Sequence, residues 1–167
     1  MIPAHVSARY PTTHMPTLEH KIPPPVVGVL LAGGMWGICA LGPQLSIAAV
    51  PKYSVVALLA VAGMAFDLLG LFAFRASRTT ANPLKPERAT SLVTGGIYRV
   101  SRNPMYVGMA FLLLAWAVHL SALLPFVGPV VFVLYITRYQ IQPEERVLEG
   151  IFGDSYLAYA ARTRRWL

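Results

Sequence analysis

Two short stretches of this sequence concentrate the side chains that could do chemistry. Residues 91–108 carry Tyr98, Arg102, Asn103 and Tyr106 around the pair Gly95-Gly96. Residues 140–159 carry Gln140, Glu144, Glu145, Tyr156 and Tyr159. A carboxylate among tyrosine faces suits a cation. Arginines and the free amides at a helix start suit a carboxylate. Gly95 and Gly96 allow a tight turn with positive φ, and Asn103-Pro104 predicts a helix start, with Asn as the cap and Pro in the first turn. Glu144 and Glu145 are neighbours on a helix and diverge by about 100°. One can face an internal pocket while the other pairs with an arginine. Each piece also has a plain structural reading, since acidic groups suit a helix start and Arg and Tyr anchor membrane boundaries.

The elements that position these residues must be membrane helices. Hydrophobic residues make up 56% of the 167 and charged residues 13%, about half the charge of a soluble domain; mean hydropathy is +0.56. Four apolar stretches, about 26–47, 53–74, 105–124 and 126–141, read as spans in a single domain, 26–167. Lipid satisfies no backbone polar group, so the fold class is all-α. Pro143 is expected to start a separate, amphipathic helix as the chain leaves the membrane, with Val147, Leu148, Ile151 and Phe152 on its buried side. Residues 1–25, rich in proline, read as a mobile tail rather than a secretory signal.

Charge sets the expected orientation. Segment 75–104 holds six basic residues against Glu87 alone, and Arg162, Arg164 and Arg165 close the chain. Both ends and the 75–104 segment are therefore expected in the cytoplasm, with Arg162, Arg164, Arg165 and Trp166 at lipid headgroups. The net charge of +7 then reflects a membrane surface and no nucleic acid. The single cysteine, Cys39, excludes an internal disulfide. His5, His14 and His20 follow no metal-ligand spacing. Asp67, costly within a span, is expected to pair with an arginine or cap a polar cavity. Trp116 fits an interfacial belt and His119 lies near the far face.

The two motif clusters together resemble the isoprenylcysteine carboxyl methyltransferase family, which is itself similar to the phospholipid methyltransferases. The matching text runs Leu92-Val93-Thr94-Gly95-Gly96-Ile97-Tyr98, then Arg102-Asn103-Pro104-Met105-Tyr106-Val107-Gly108, then Glu144-Glu145, Phe152-Gly153 and Tyr156. The resemblance implies an integral membrane enzyme that uses S-adenosylmethionine in a cytoplasmic pocket closed by the C-terminal helices, with no Rossmann fold and no metal. It implies cofactor contacts at Leu92, Val93, Tyr98, Asn103, Pro104, Met105, Tyr106 and Glu144. It implies catalytic roles at Arg102, Glu145 and Gln140, with Glu145 orienting the site. Two positions depart from the family pattern. Asn103 stands where the family has histidine, and Gln140 where it has an arginine four residues before the key glutamate.

Methyl transfer from a sulfonium is an in-line displacement, so the protein mainly holds the reacting atoms in place. A carboxylate acceptor needs no general base; an amine or thiol does. The resemblance implies a lipophilic acceptor within the bilayer, prenylcysteine-like. Two alternatives are a phospholipid or other lipid amine as acceptor, and a non-catalytic membrane scaffold. Cysteine probes at Ser77 and Ser121, on a Cys39-free background, are expected to label from opposite sides of the membrane. Labelling from one side would rule out the four-span arrangement.

Overall fold

The computed structural model describes residues 21–76 and 91–167. The expected tail over residues 1–20, with its histidines, lies outside the described residues. So do Ser77, Arg78, Lys85, Glu87 and Arg88. Among the described residues the chain is helical: α1 (Pro24–Ile38, with a 3-10 turn to Leu41), α2 (Ala49–Ala76), α3 (Pro104–Leu120), α4 (Val127–Ile136), α5 (Gln142–Phe152) and α6 (Asp154–Arg162). Three helical stretches are long and apolar enough to cross a membrane: Pro24–Leu41, Ala49–Ala76 and Leu124–Phe152. The 17-residue α3 is a shorter apolar helix.

Several boundaries differ from the sequence reading, each for a local reason. Helix α1 begins inside the expected tail, at Pro24, because prolines fit the first turn, where an amide has no helical partner. It stops at Leu41, before Gly42 and Pro43. The chain then pairs with the turn after α3, through Leu45 N–H to Ser121 O at 2.7 Å and Leu123 N–H to Pro43 O at 3.0 Å. The helix of the fourth apolar stretch does not stop at Ile141. A π-turn over Thr137–Ile141 carries α4 straight into α5. In it the Gln142 amide bonds the Thr137 carbonyl five residues back. Pro143 lacks an N–H, and its ring would press on the carbonyl four residues earlier in a regular helix. The wider turn relieves that conflict, so one rod runs from membrane to site.

Helix α3 is central, packed along α2 on one side and against α1 and α4 on the other. Met35, Leu113, Ala117, Phe132 and Ile136 fill the core. The indole of Trp116 donates to Ala32 O at 3.0 Å, tying α3 to α1, and its ring stacks on His119 at 5.2 Å. Trp116 thus supplies a helix–helix bond that the sequence reading did not include. Outward faces are greasy: Val29, Leu30 and Trp36 on α1, Leu58, Val61 and Phe72 on α2. Such faces belong in hydrocarbon.

The α2–α3 contact depends on missing side chains. A Cβ on Gly108 would lie 2.6 Å from Gly63 O and would collide with the Asp67 carboxylate. A Cβ on Gly63 would lie 2.8 Å from Gly108 O. Small residues let membrane helices approach this closely. Asp67 occupies that crossing and makes no ion pair among the described residues, so the expected arginine partner is not found there. Gly108→Ala is expected to destabilise the fold by about 1–3 kcal/mol through overpacking. Gly34→Ala is the control, with nothing within 4 Å of its Cβ. Thermal unfolding in detergent should show a lowered midpoint for Gly108→Ala only.

Candidate active site

The site forms where the turn before α3 meets the first turn of α5. Gly96 takes φ +58°, as its lack of a Cβ permits, and starts the 3-10 turn Gly96–Arg99. That turn buries Tyr98 among Tyr156, Tyr159, Leu92 and Val93. Phe74 meets the Tyr98 ring edge-on at 5.4 Å, and the Tyr159 hydroxyl donates to Tyr98 O at 2.8 Å. Burial pushes both phenols far above the ordinary tyrosine range, and the Glu144 charge adds to the push on Tyr98. The Tyr156 phenol is pushed up to about 12, again chiefly by burial. All three stay neutral at physiological pH.

The two adjacent glutamates point apart. Glu144 Oε1 accepts from the Tyr106 hydroxyl at 2.7 Å and from Gln140 Nε2 at 2.9 Å. Both donors are neutral and both residues are buried. Glu144 Oε2 takes neither of these bonds. Glu145 turns the other way, onto two arginines. Its Oε1 accepts from Arg102 Nη2 at 2.8 Å and Arg165 Nε at 3.0 Å, and its Oε2 from Arg165 Nη2 at 2.7 Å. These bonds raise the Arg165 guanidinium pKa further above its ordinary value. Arg102 Nη1 donates to Ala160 O at 3.0 Å, whereas its Nε is buried with no hydrogen-bond partner among the described residues. A buried donor without a partner is costly. An acceptor atom on a bound molecule would satisfy it.

The C-terminal segment closes the arrangement. Arg164 O accepts from the Arg102 amide at 2.9 Å, and Arg165 O from Asn103 Nδ2 at 2.9 Å. Trp166 Nε1 donates to Thr137 Oγ1 at 3.1 Å. Asn103 occupies the N-cap position of α3, but its side chain makes no cap bond. Its side-chain amide is committed to Arg165 O, and its backbone N–H donates to Ser101 Oγ at 3.1 Å. Arg165, which stays partly exposed, and Trp166 thus make bonds within the protein that the sequence reading did not include; Arg162 and Arg164 are exposed.

The structure therefore brings Tyr98, Arg102, Asn103, Tyr106, Gln140, Glu144 and Glu145 to one place, with Leu92 and Val93 along the tyrosine cluster. Pro104 and Met105 pack on Gly70 of α2. Sequence reasoning missed Arg165, Ser101 and Thr137 as parts of the scaffold. The available signal was Glu145, whose expected arginine partner could have been sought in the basic run at the chain's end. Arg165→Ala is expected to cost about 1–3 kcal/mol, because it removes two charge-assisted bonds to Glu145. Glu145→Ala should cost more, since it leaves two guanidinium groups facing each other. Unfolding midpoints of the two variants check the order.

Comparison with known proteins agrees with this architecture. The family model for phospholipid methyltransferase matches residues 51–155. A Haemophilus influenzae protein, described only as an uncharacterized protein, is 43% identical over 63 residues, which is 38% of this chain and all of that protein. No solved structure matches. The matched span covers α2, the 3-10 turn, α3, α4, both glutamates and the start of α6, and the chain belongs to the phospholipid methyltransferase family.

Proposed function

We propose that this protein transfers a methyl group from S-adenosylmethionine to a membrane lipid, at a site on the cytoplasmic face. The observation that carries the reading is the Glu144 carboxylate, held by the neutral donors Tyr106 and Gln140 one residue from the Arg102–Glu145 pair. The cofactor when bound supplies an electrophilic methyl on a sulfonium. The residues present fit it on two counts. Its cationic groups suit the Glu144 carboxylate, and its carboxylate suits the unpartnered Arg102 Nε.

The same charges bear on the acceptor. Gln140 is neutral where a prenylcysteine carboxyl methyltransferase would have arginine. Arg102 and Arg165 are engaged with Glu145. With the Arg102 Nε taken by the cofactor's carboxylate, a carboxylate acceptor beside Glu144 would find no second open guanidinium position among the described site residues. An amine acceptor would meet a carboxylate able to hold its proton, as an amine nucleophile requires. The reading therefore favours a lipid amine over the prenylcysteine carboxylate. Tyr98, Tyr156 and Tyr159 wall the site with neutral rings that exclude water and leave its charge to the glutamates and arginines.

Two measurements test this. Calorimetry in detergent should show binding of S-adenosylmethionine or its demethylated product. Glu144→Gln should weaken that binding by roughly 1.5–3 kcal/mol, the range for charge-assisted hydrogen bonds, and Glu145→Gln much less. No binding at millimolar ligand by folded protein would refute the enzyme reading and favour a scaffold. With labelled cofactor and a lipid extract, the label should appear in an amine lipid. Label in a prenylcysteine ester instead would overturn the acceptor assignment.

A further inference from the structure

Glu145 is shared unequally between its two arginines. Arg165 takes both carboxylate oxygens in a side-on fork, Nε to Oε1 at 3.0 Å and Nη2 to Oε2 at 2.7 Å. Arg102 reaches only Oε1, through Nη2 at 2.8 Å, and its Nη1 donates to Ala160 O at 3.0 Å. Its Nε stays buried with no partner among the described residues. A two-bond fork is among the strongest pairings a guanidinium makes with a carboxylate. Without Arg165, Glu145 Oε2 would be open to Arg102, whose Nε and Nη2 can form the same fork. Arg165 therefore decides whether that Nε goes to Glu145 or is left for another acceptor.

Charge points the same way. The three groups together carry one net positive charge, whereas Arg102 and Glu145 alone carry none. Arg165 works from the rim, its side chain 38% exposed against 13% for Arg102. Its position does not depend on its own guanidinium. Arg164 O and Arg165 O accept from the Arg102 amide and Asn103 Nδ2, each at 2.9 Å, and Trp166 donates to Thr137 Oγ1. We propose that Arg165 is a positioning residue for ligand recognition: by engaging both oxygens of Glu145 it keeps Arg102 Nε open for the carboxylate of the bound ligand. This rests on the methyltransferase reading, which supplies that carboxylate as the α-amino-acid end of S-adenosylmethionine. Glu144 answers the ammonium of the same end, so two adjacent helix positions sort the two charges of one amino acid.

Calorimetry on the full chain in detergent tests it, with two probes. One is S-adenosylhomocysteine; the other is its decarboxylated analogue, which keeps the nucleoside, the thioether and the amine. Wild type is expected to bind the first about tenfold more tightly, the ratio given by about 1.4 kcal/mol. Arg165→Gln should lose about tenfold on S-adenosylhomocysteine and stay within about twofold of wild type on the decarboxylated probe. Adding Glu145→Gln removes the competitor for Arg102 Nε. The double variant should therefore return to within about twofold of wild type on S-adenosylhomocysteine, a coupling that a double-mutant cycle reads directly. A merely structural role for Arg165 predicts equal loss on both probes and no rescue by a second lesion; either result would overturn the proposal, as would unchanged affinity for both. If Arg165→Gln does not fold, Arg165→Lys takes its place. A lysine ammonium is a single point charge and cannot span both oxygens as Nε and Nη2 do. A loss of about threefold confined to S-adenosylhomocysteine is then expected, and no loss overturns the proposal. Failure of folded wild type to bind either probe would refute the methyltransferase reading and the ligand carboxylate with it. Equal wild-type affinity for the two probes would leave that reading standing and overturn the role of Arg165 alone.

Discussion

The polar site of this protein depends on Glu145 being clasped by Arg102 and Arg165. The three groups come from the turn before α3, the first turn of α5 and the far end of the chain. Taking charges out of water is costly unless each is paired and hydrogen-bonded. Here the carboxylate receives three donors, and Arg102 is anchored again on Ala160 O. Once that clasp closes, Arg164 and Arg165 carbonyls fall in line with the Arg102 amide and the Asn103 side chain. The clasp also fixes the rotation of α5. With Glu145 turned to the arginines, Glu144 points about a third of a turn away, toward Tyr106 and Gln140.

Beneath the clasp, the apolar part holds position by close approach. In membranes the hydrophobic effect does little to join helices, so packing must do it. The Gly63–Gly108 crossing brings α2 and α3 nearly backbone to backbone, and Met35 sits where a Cβ on Gly128 would be. Such contacts leave little room to slide. They set the height of Tyr98, Tyr106 and the 3-10 turn relative to α5. Precise placement of the site thus comes from small residues far from it.

Much of this was legible from residue types. Apolar run lengths located the helices. The divergence of Glu144 and Glu145 followed from helical geometry, and Gly96 took the positive φ its turn required. What stayed hidden was long-range or backbone-level. Nothing periodic links Arg165 to Glu145, 20 residues apart, and a basic end beside a tryptophan looks like a headgroup anchor. Asn103 has the right place for a cap, but a distant carbonyl competes for its amide. The unbroken rod from Leu124 to Phe152 was hidden because proline normally ends a helix, and a π-turn has no simple sequence code.

That π-turn has an evolutionary corollary. A π-turn is an α-helix carrying one extra residue. A descendant that lost a residue within Thr137–Ile141 would regain a regular helix, with α4 and the glutamates on either side of the deletion little displaced. It would then set the Pro143 ring against the carbonyl one turn back. The extra residue and the proline are therefore a matched pair in physical terms, the wider turn accommodating the ring. Gln140 rides on that insertion. The Gln140 contact to Glu144 can thus be lost by a change in chain length as readily as by a change of side chain.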